Sequence, residues 1–139
     1  MALRALARHP LVTVDRTTTI AEVARIMDES DAHLVVVTEG KRMVGVVTER
    51  DIVVRGVARR YPADARIEAV MSTDVSSLPA DTDRQDALAA FRDHGVRHLP
   101  LVDGTTVIAV LADDDLVDGT GEPAAGIGAL AGRTAHRPA

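Results

Sequence analysis

The residues best suited to chemistry in this chain are Thr48 and Asp51, which end the run Gly45-Val46-Val47-Thr48-Glu49-Arg50-Asp51. An apolar stretch stops there, a hydroxyl and a carboxylate follow three residues apart, and a second apolar segment, Ile52-Val53-Val54, begins. The pattern predicts a buried strand turning into a helix, with the first unpaired N–H groups of that helix beside Thr48 and Asp51. Such a junction can hold a phosphate on the helix N-terminus and a sugar hydroxyl on the carboxylate. The same spacing also describes a plain helix cap, with Thr48 as N-cap and Asp51 three positions on.

The elements that position this turn follow from hydrophobic periodicity. Leu3 to Ala7 predicts a short helical turn closed by His9-Pro10, and Leu11 to Val14 a short strand. Thr19-Ile20-Ala21-Glu22 has the form of a capping box, and Ile20, Val23, Ala24 and Met27 then fall on one helical face. Leu34 to Thr38 and Met43 to Val47 predict a hairpin around Glu39-Gly40-Lys41-Arg42, followed by a helix from about Glu49 to Val57. The order is β-α-β-β-α. A shift of 64 residues brings the pattern back without a gap: Leu3 lies over Ile67, Val14 over Leu78, Met27 over Phe91, Gly40 over Gly104, and Asp51 over Asp115. A fixed-period repeat of this kind means two copies of one supersecondary unit, each too small to close its own core. The expected boundaries are residues 1–58 for the first repeat with its N-terminal turn, 59–66 for a polar connector, 67–118 for the second repeat, and 119–139 for a flexible Gly/Ala/Pro-rich tail.

Composition narrows the function. The chain has 139 residues, 46% of them hydrophobic but only 1% aromatic, namely Tyr61 and Phe91, so its core is aliphatic. Two aromatics leave almost no stacking platform for single-stranded nucleic acid, and a net charge of −5 argues against binding a phosphate backbone. No cysteine is present, which excludes disulfides and thiolate chemistry. Arg4 and Arg8 interrupt the opening residues before a signal-peptide core forms, and no stretch approaches the roughly 18–20 apolar residues of a membrane span. The expectation is a soluble cytoplasmic protein with neither nucleic-acid nor membrane partners.

With the repeat and its motif in view, the chain resembles a tandem pair of cystathionine-β-synthase (CBS) domains, also called a Bateman module. The family signature of glycine, apolar residue, any residue, Thr or Ser, two residues and Asp stands in full as Gly45, Val46, Thr48 and Asp51, and Arg97 to Asp103 resembles the entry into the family's second strand. The resemblance spans about residues 3–118. It implies an α/β (α+β) fold of two β-α-β-β-α repeats packed with pseudo-two-fold symmetry. It further implies a stand-alone regulatory module, not an enzyme, that binds an adenosine compound (AMP, ADP, ATP or S-adenosylmethionine) between the repeats. Output would pass to an effector protein, and the module would pair into a homodimer through its helices. Asp51 would then accept from ribose hydroxyls, Thr48 would touch ribose or phosphate, and backbone groups near Val12, Val46 and Val47 would hold adenine. Arg97 and His98 would reach a phosphate. The competing expectation is a ligand-free dimerisation or interaction scaffold in which Thr48 and Asp51 only cap a helix.

The second copy departs from the signature. Ala109 replaces the glycine and Ala112 the hydroxyl, and Asp113 and Asp114 add negative charge, so Asp115 is the surviving ligand candidate of a weakened site. Because this copy keeps the pattern without them, Gly45 and Thr48 lean toward function. No metal is expected: His94 and His98 are four apart, but Gly95 should end their helix, and Asp113-Asp114-Asp115 lacks the glycine and glutamate of an EF-hand loop. No phosphate-binding Gly-rich loop, nucleophile elbow or catalytic dyad is present.

Overall fold

A computed structural model of the protein describes residues 2–116, and the segment expected as a tail lies outside them. Both predicted repeats form. In the first, β1 (Thr13–Asp15) runs parallel to β2 (Leu34–Glu39), and β2 pairs antiparallel with β3 (Arg42–Thr48). In the second, β4 (Leu78–Pro79) is parallel to β5 (His98–Asp103), which neighbours β6 (Thr106–Ala112). A helix links the first two strands of each sheet: α2 (Ile20–Ser30) in the first and α4 (Arg84–His94) in the second. A short α1 (Leu3–Leu6) precedes both sheets, and α3 (Glu49–Asp51) follows β3.

Local chemistry explains the helix ends. Thr19 caps α2 by accepting the Glu22 N–H at 3.1 Å, but the box expected there is half formed, because the Glu22 carboxylate pairs with Arg25 instead. Asp83 caps α4 by accepting from the Asp86 N–H at 2.8 Å. Gly95 ends α4 in the left-handed conformation (φ +65°), so His94 closes a helix while His98 opens a strand.

The chain divides into two compact units, and neither is contiguous. One holds residues 10–75 with the hairpin tip 103–107; the other, among the described residues, holds 2–9, 76–102 and 108–116. The core of the first is built on Val14, Val23, Val35, Val37, Val47 and Ile52, and includes Ile67. The core of the second is built on Leu78, Ala87, Phe91, Leu99, Leu101, Leu111 and Leu116, and includes Leu3. With Met27, which is also buried in the first core, these residues pair under the 64-residue shift, Leu3 and Ile67 included. The segment preceding each repeat therefore packs into the core of the other one. The expected bounds of 1–58 and 67–118 follow the repeat along the chain, whereas packing groups the N-terminal turn with the second unit and Ile67 with the first. Leu3 and Ile67 each precede their own strand by a segment without strand periodicity, so periodicity could not say which core they fill. Among the described residues, no helix is long and apolar enough to cross a membrane.

Candidate functional site

The turn after β3 is built as a complete capping box. The Asp51 N–H donates to Thr48 Oγ1 at 3.3 Å, while Asp51 Oδ2 accepts from the Thr48 N–H at 2.9 Å and from the Thr48 hydroxyl at 3.1 Å. These bonds satisfy donors a helix start would otherwise leave open. They also lock Asp51 through one oxygen. Its other oxygen, Oδ1, has the Arg55 Nε at 4.0 Å, and the Asp51 side chain keeps 15% of its surface exposed. The turn thus offers a rigidly held carboxylate edge with acceptor capacity left, beside a guanidinium that is itself anchored on the Met71 carbonyl at 3.2 Å. Arg55 went unmarked in the sequence, although an Arg four residues after a helical Asp is a readable i,i+4 pair. The helix runs from Glu49–Asp51 into a widened, π-helical stretch over Ile52–Val57, where the Ala58 N–H reaches the Val53 carbonyl at 2.9 Å.

Gly45 has a packing role that the sequence comparison missed. The segment after Ile67 crosses β3, and Val46 and Ser72 exchange two backbone hydrogen bonds, at 2.9 and 2.8 Å. A Cβ on Gly45 would lie 2.7 Å from Met71 Sδ and 2.8 Å from the Ser72 carbonyl oxygen. The glycine admits a crossing strand of the protein itself. The inference from the second copy, that Gly45 leans toward function because the fold does without it, is therefore not sustained for this glycine. In the second unit the corresponding amide, that of Arg8, turns instead to Asp115 Oδ1 at 3.3 Å. Among the described residues no bridge of the Val46–Ser72 kind forms there, so Ala109 is tolerated.

The remaining candidates separate. Val12 borders the first core, and its carbonyl accepts from the Val36 N–H at 3.0 Å. Val47 is fully buried, and the amide of Val46 is engaged by the Ser72 carbonyl. Arg97 and His98 belong to the second unit, where the Arg97 carbonyl accepts from the Asp113 N–H at 2.9 Å. His94 contacts the Ser76 hydroxyl through Nδ1 at 3.2 Å.

Asp115 is not a usable ribose grip. Its side chain is fully buried, with Oδ2 accepting from the Ala112 N–H at 2.8 Å and Oδ1 facing the Arg8 amide and guanidinium at 3.3 and 3.5 Å. Its cap contact repeats that of Asp51 on Thr48, which is why this Asp survives without the rest of the signature. Burial raises its pKa above the usual carboxylate value, against the stabilising bonds from Ala112 and Arg8. Burial, with the neighbouring Asp114 charge, pushes Asp113 up to about 6.

Comparison with known proteins agrees with this architecture. Residues 3–57 and 67–120 each match the CBS domain family. The chain is 30% identical over 106 residues to the CBS domain-containing protein YhcV of Bacillus subtilis, covering 76% of each chain. It is 38% identical over 98 residues to an uncharacterized 17.7 kDa protein of Acidianus ambivalens, covering 70% of this chain and 58% of that one. It thus spans less than two thirds of some relatives it matches. Among solved structures, the CBS domain protein PAE2072 of Pyrobaculum aerophilum, complexed with AMP, is similar with 28% identity and a TM-score of 0.73, over 83% of this chain and 89% of that one. The two family matches, the repeated sheet-and-helix units and the complete Gly45-to-Asp51 signature together make this chain a tandem-repeat member of the CBS domain family.

Proposed function

We propose that this protein is a regulatory CBS pair that takes an adenosine-containing ligand (AMP, ADP, ATP or S-adenosylmethionine) at the Thr48–Asp51 turn and passes the signal to a partner protein. The observation that carries this reading is the division of labour at Asp51. Oδ2 is spent on the cap, which orients the carboxylate, while Oδ1 retains lone pairs for a vicinal diol. Arg55 beside it supplies the positive charge that a phosphate on the same ligand requires. The AMP carried by the Pyrobaculum relative supports the ligand class. A signal follows only if the ligand binds one conformation of the protein better than another.

A second reading, a ligand-free interaction scaffold, is favoured by the completeness of the capping box, which explains Thr48 and Asp51 without a ligand. Both readings share a homodimer. Val53, Val54 and Val57 are 58%, 42% and 69% exposed on the single helix after the turn, an apolar stripe suited to a second copy. Thermal unfolding against these four adenosine compounds separates the readings. A ligand at about 100 times its dissociation constant adds roughly 2.7 kcal/mol. Asp51→Asn retains an oxygen for the cap but turns an amide donor toward the ligand, so it should remove the shift while the unliganded protein stays folded. A flat response of well-folded wild-type protein to every ligand would leave only the scaffold.

A further inference from the structure

We infer that His9, Asp114 and Asp115 form a binding site for one divalent transition-metal ion of the Zn²⁺ class in the second unit. These residues come from opposite ends of the described chain, the segment after α1 and the turn following β6. One ligand atom from each lies within 4.8 Å of the others. Around a tetrahedral ion with bonds of about 2.0–2.1 Å, ligand atoms stand about 3.4 Å apart, so closure takes side-chain adjustments of roughly an ångström.

An independent observation points the same way. Asp114 Oδ1 is buried and, among the described residues, has no hydrogen-bond partner. A buried carboxylate oxygen needs a donor or a cation. Arg8 does not supply it: its Nη2 donates to the Asp114 carbonyl at 2.6 Å, and its Nε faces Asp115 at 3.5 Å. Three successive carboxylates, Asp113 to Asp115, thus stand against Arg8 and the nearby Arg97, which leaves negative charge for a cation to balance.

The donor set selects the ion. One imidazole with two carboxylates suits zinc-like metals, whereas calcium and magnesium ask for six or more oxygens. Three protein ligands leave a fourth position for water. Asp115 is too enclosed to grip a ribose, but a single ion needs no such room. The first repeat has no such set: the shift of 64 places Thr73, Arg50 and Asp51 at the corresponding positions, and Arg50 would repel a cation. The two repeats have therefore specialised differently, and an ion in the second would tie residues 2–9 to the turn after β6.

The test is calorimetric titration of the chelator-treated full chain with ZnCl₂, alongside the visible absorption of the Co²⁺-loaded protein. We expect one Zn²⁺ per chain, and a loss of affinity of about tenfold or more in both His9→Gln and Asp114→Asn. His94→Gln, at a histidine outside the cluster, should bind as the wild type does. Tetrahedral Co²⁺ bands should vanish in His9→Gln. Circular dichroism of each variant reports folding; if Asp114→Asn fails to fold, His9→Gln and the cobalt spectrum decide. Absence of saturable Zn²⁺ binding by the wild type, or wild-type affinity in His9→Gln, would overturn the assignment.

Discussion

Replacing Gly45 with alanine separates a glycine kept for a ligand from a glycine kept for the fold. The added Cβ would meet Met71 Sδ at 2.7 Å and the Ser72 carbonyl oxygen at 2.8 Å, both inside the 3.0 Å that real Cβ atoms respect. Methionine can swing aside. The carbonyl cannot, because Ser72 is held to Val46 by bonds of 2.9 and 2.8 Å. Overpacking of this kind costs about 1–3 kcal/mol, and each backbone bond lost adds about 1 kcal/mol. The reduced freedom of the unfolded chain returns roughly 0.4–1 kcal/mol. The net expectation is a loss of about 2–3 kcal/mol, read in urea as a midpoint lower by about 1 M at unchanged slope. Ala109, the counterpart of Gly45, has no bridge of the Val46–Ser72 kind beside it among the described residues, so Ala109→Gly should cost only about 1.5 kcal/mol through chain entropy and one buried methyl. If Gly45→Ala left the midpoint of the ligand-free protein in place and weakened only nucleotide binding, the packing account of Gly45 would be wrong.

Other expectations follow from the same geometry. Val53→Glu with Val57→Glu should shift sedimentation toward the monomer without lowering the helical signal, since both side chains are mostly exposed; an unchanged dimer would place the interface elsewhere. Asp15 accepts the Thr17 hydroxyl and its N–H, the latter at 2.9 Å, and these bonds hold its pKa below the ordinary carboxylate value. The lowered pKa makes the turn's contribution full above the unfolded pKa and lost as pH falls through the folded one. In Thr17→Val an NMR titration should show Asp15 protonating at higher pH than in the wild type, and coincident curves would contradict the assignment.

Much of this architecture was legible in the chain. Apolar period and turn residues located β1 to β3, α2 and the Glu49 helix, because strands and helices bury faces at fixed spacings. The 64-residue shift paired many positions of the two cores, as in Val47 with Leu111 and Met27 with Phe91, but not Ile20, whose counterpart is Arg84. The Thr48–Asp51 pair marked a helix start with spare chemistry, and its capping box formed as spaced. These features are local, so neighbouring residues suffice to specify them.

What local pattern could not carry was the long-range placement of short segments. Leu3 and Ile67 look equivalent in sequence, yet each enters the core of the other repeat, since the connecting segment permits either choice and only packing selects one. From that exchange follows the purpose of Gly45, which faces Met71 and Ser72, 26 and 27 positions further along the chain. The same exchange brings His9 beside Asp114 and Asp115. The sequence by itself determined the repeated unit and the capped turn, because backbone propensity and hydrophobic period act within a few residues. Only the tertiary structure decided which glycine is crowded, which aspartate is enclosed and which histidine meets the carboxylates, because those depend on where a distant segment comes to rest.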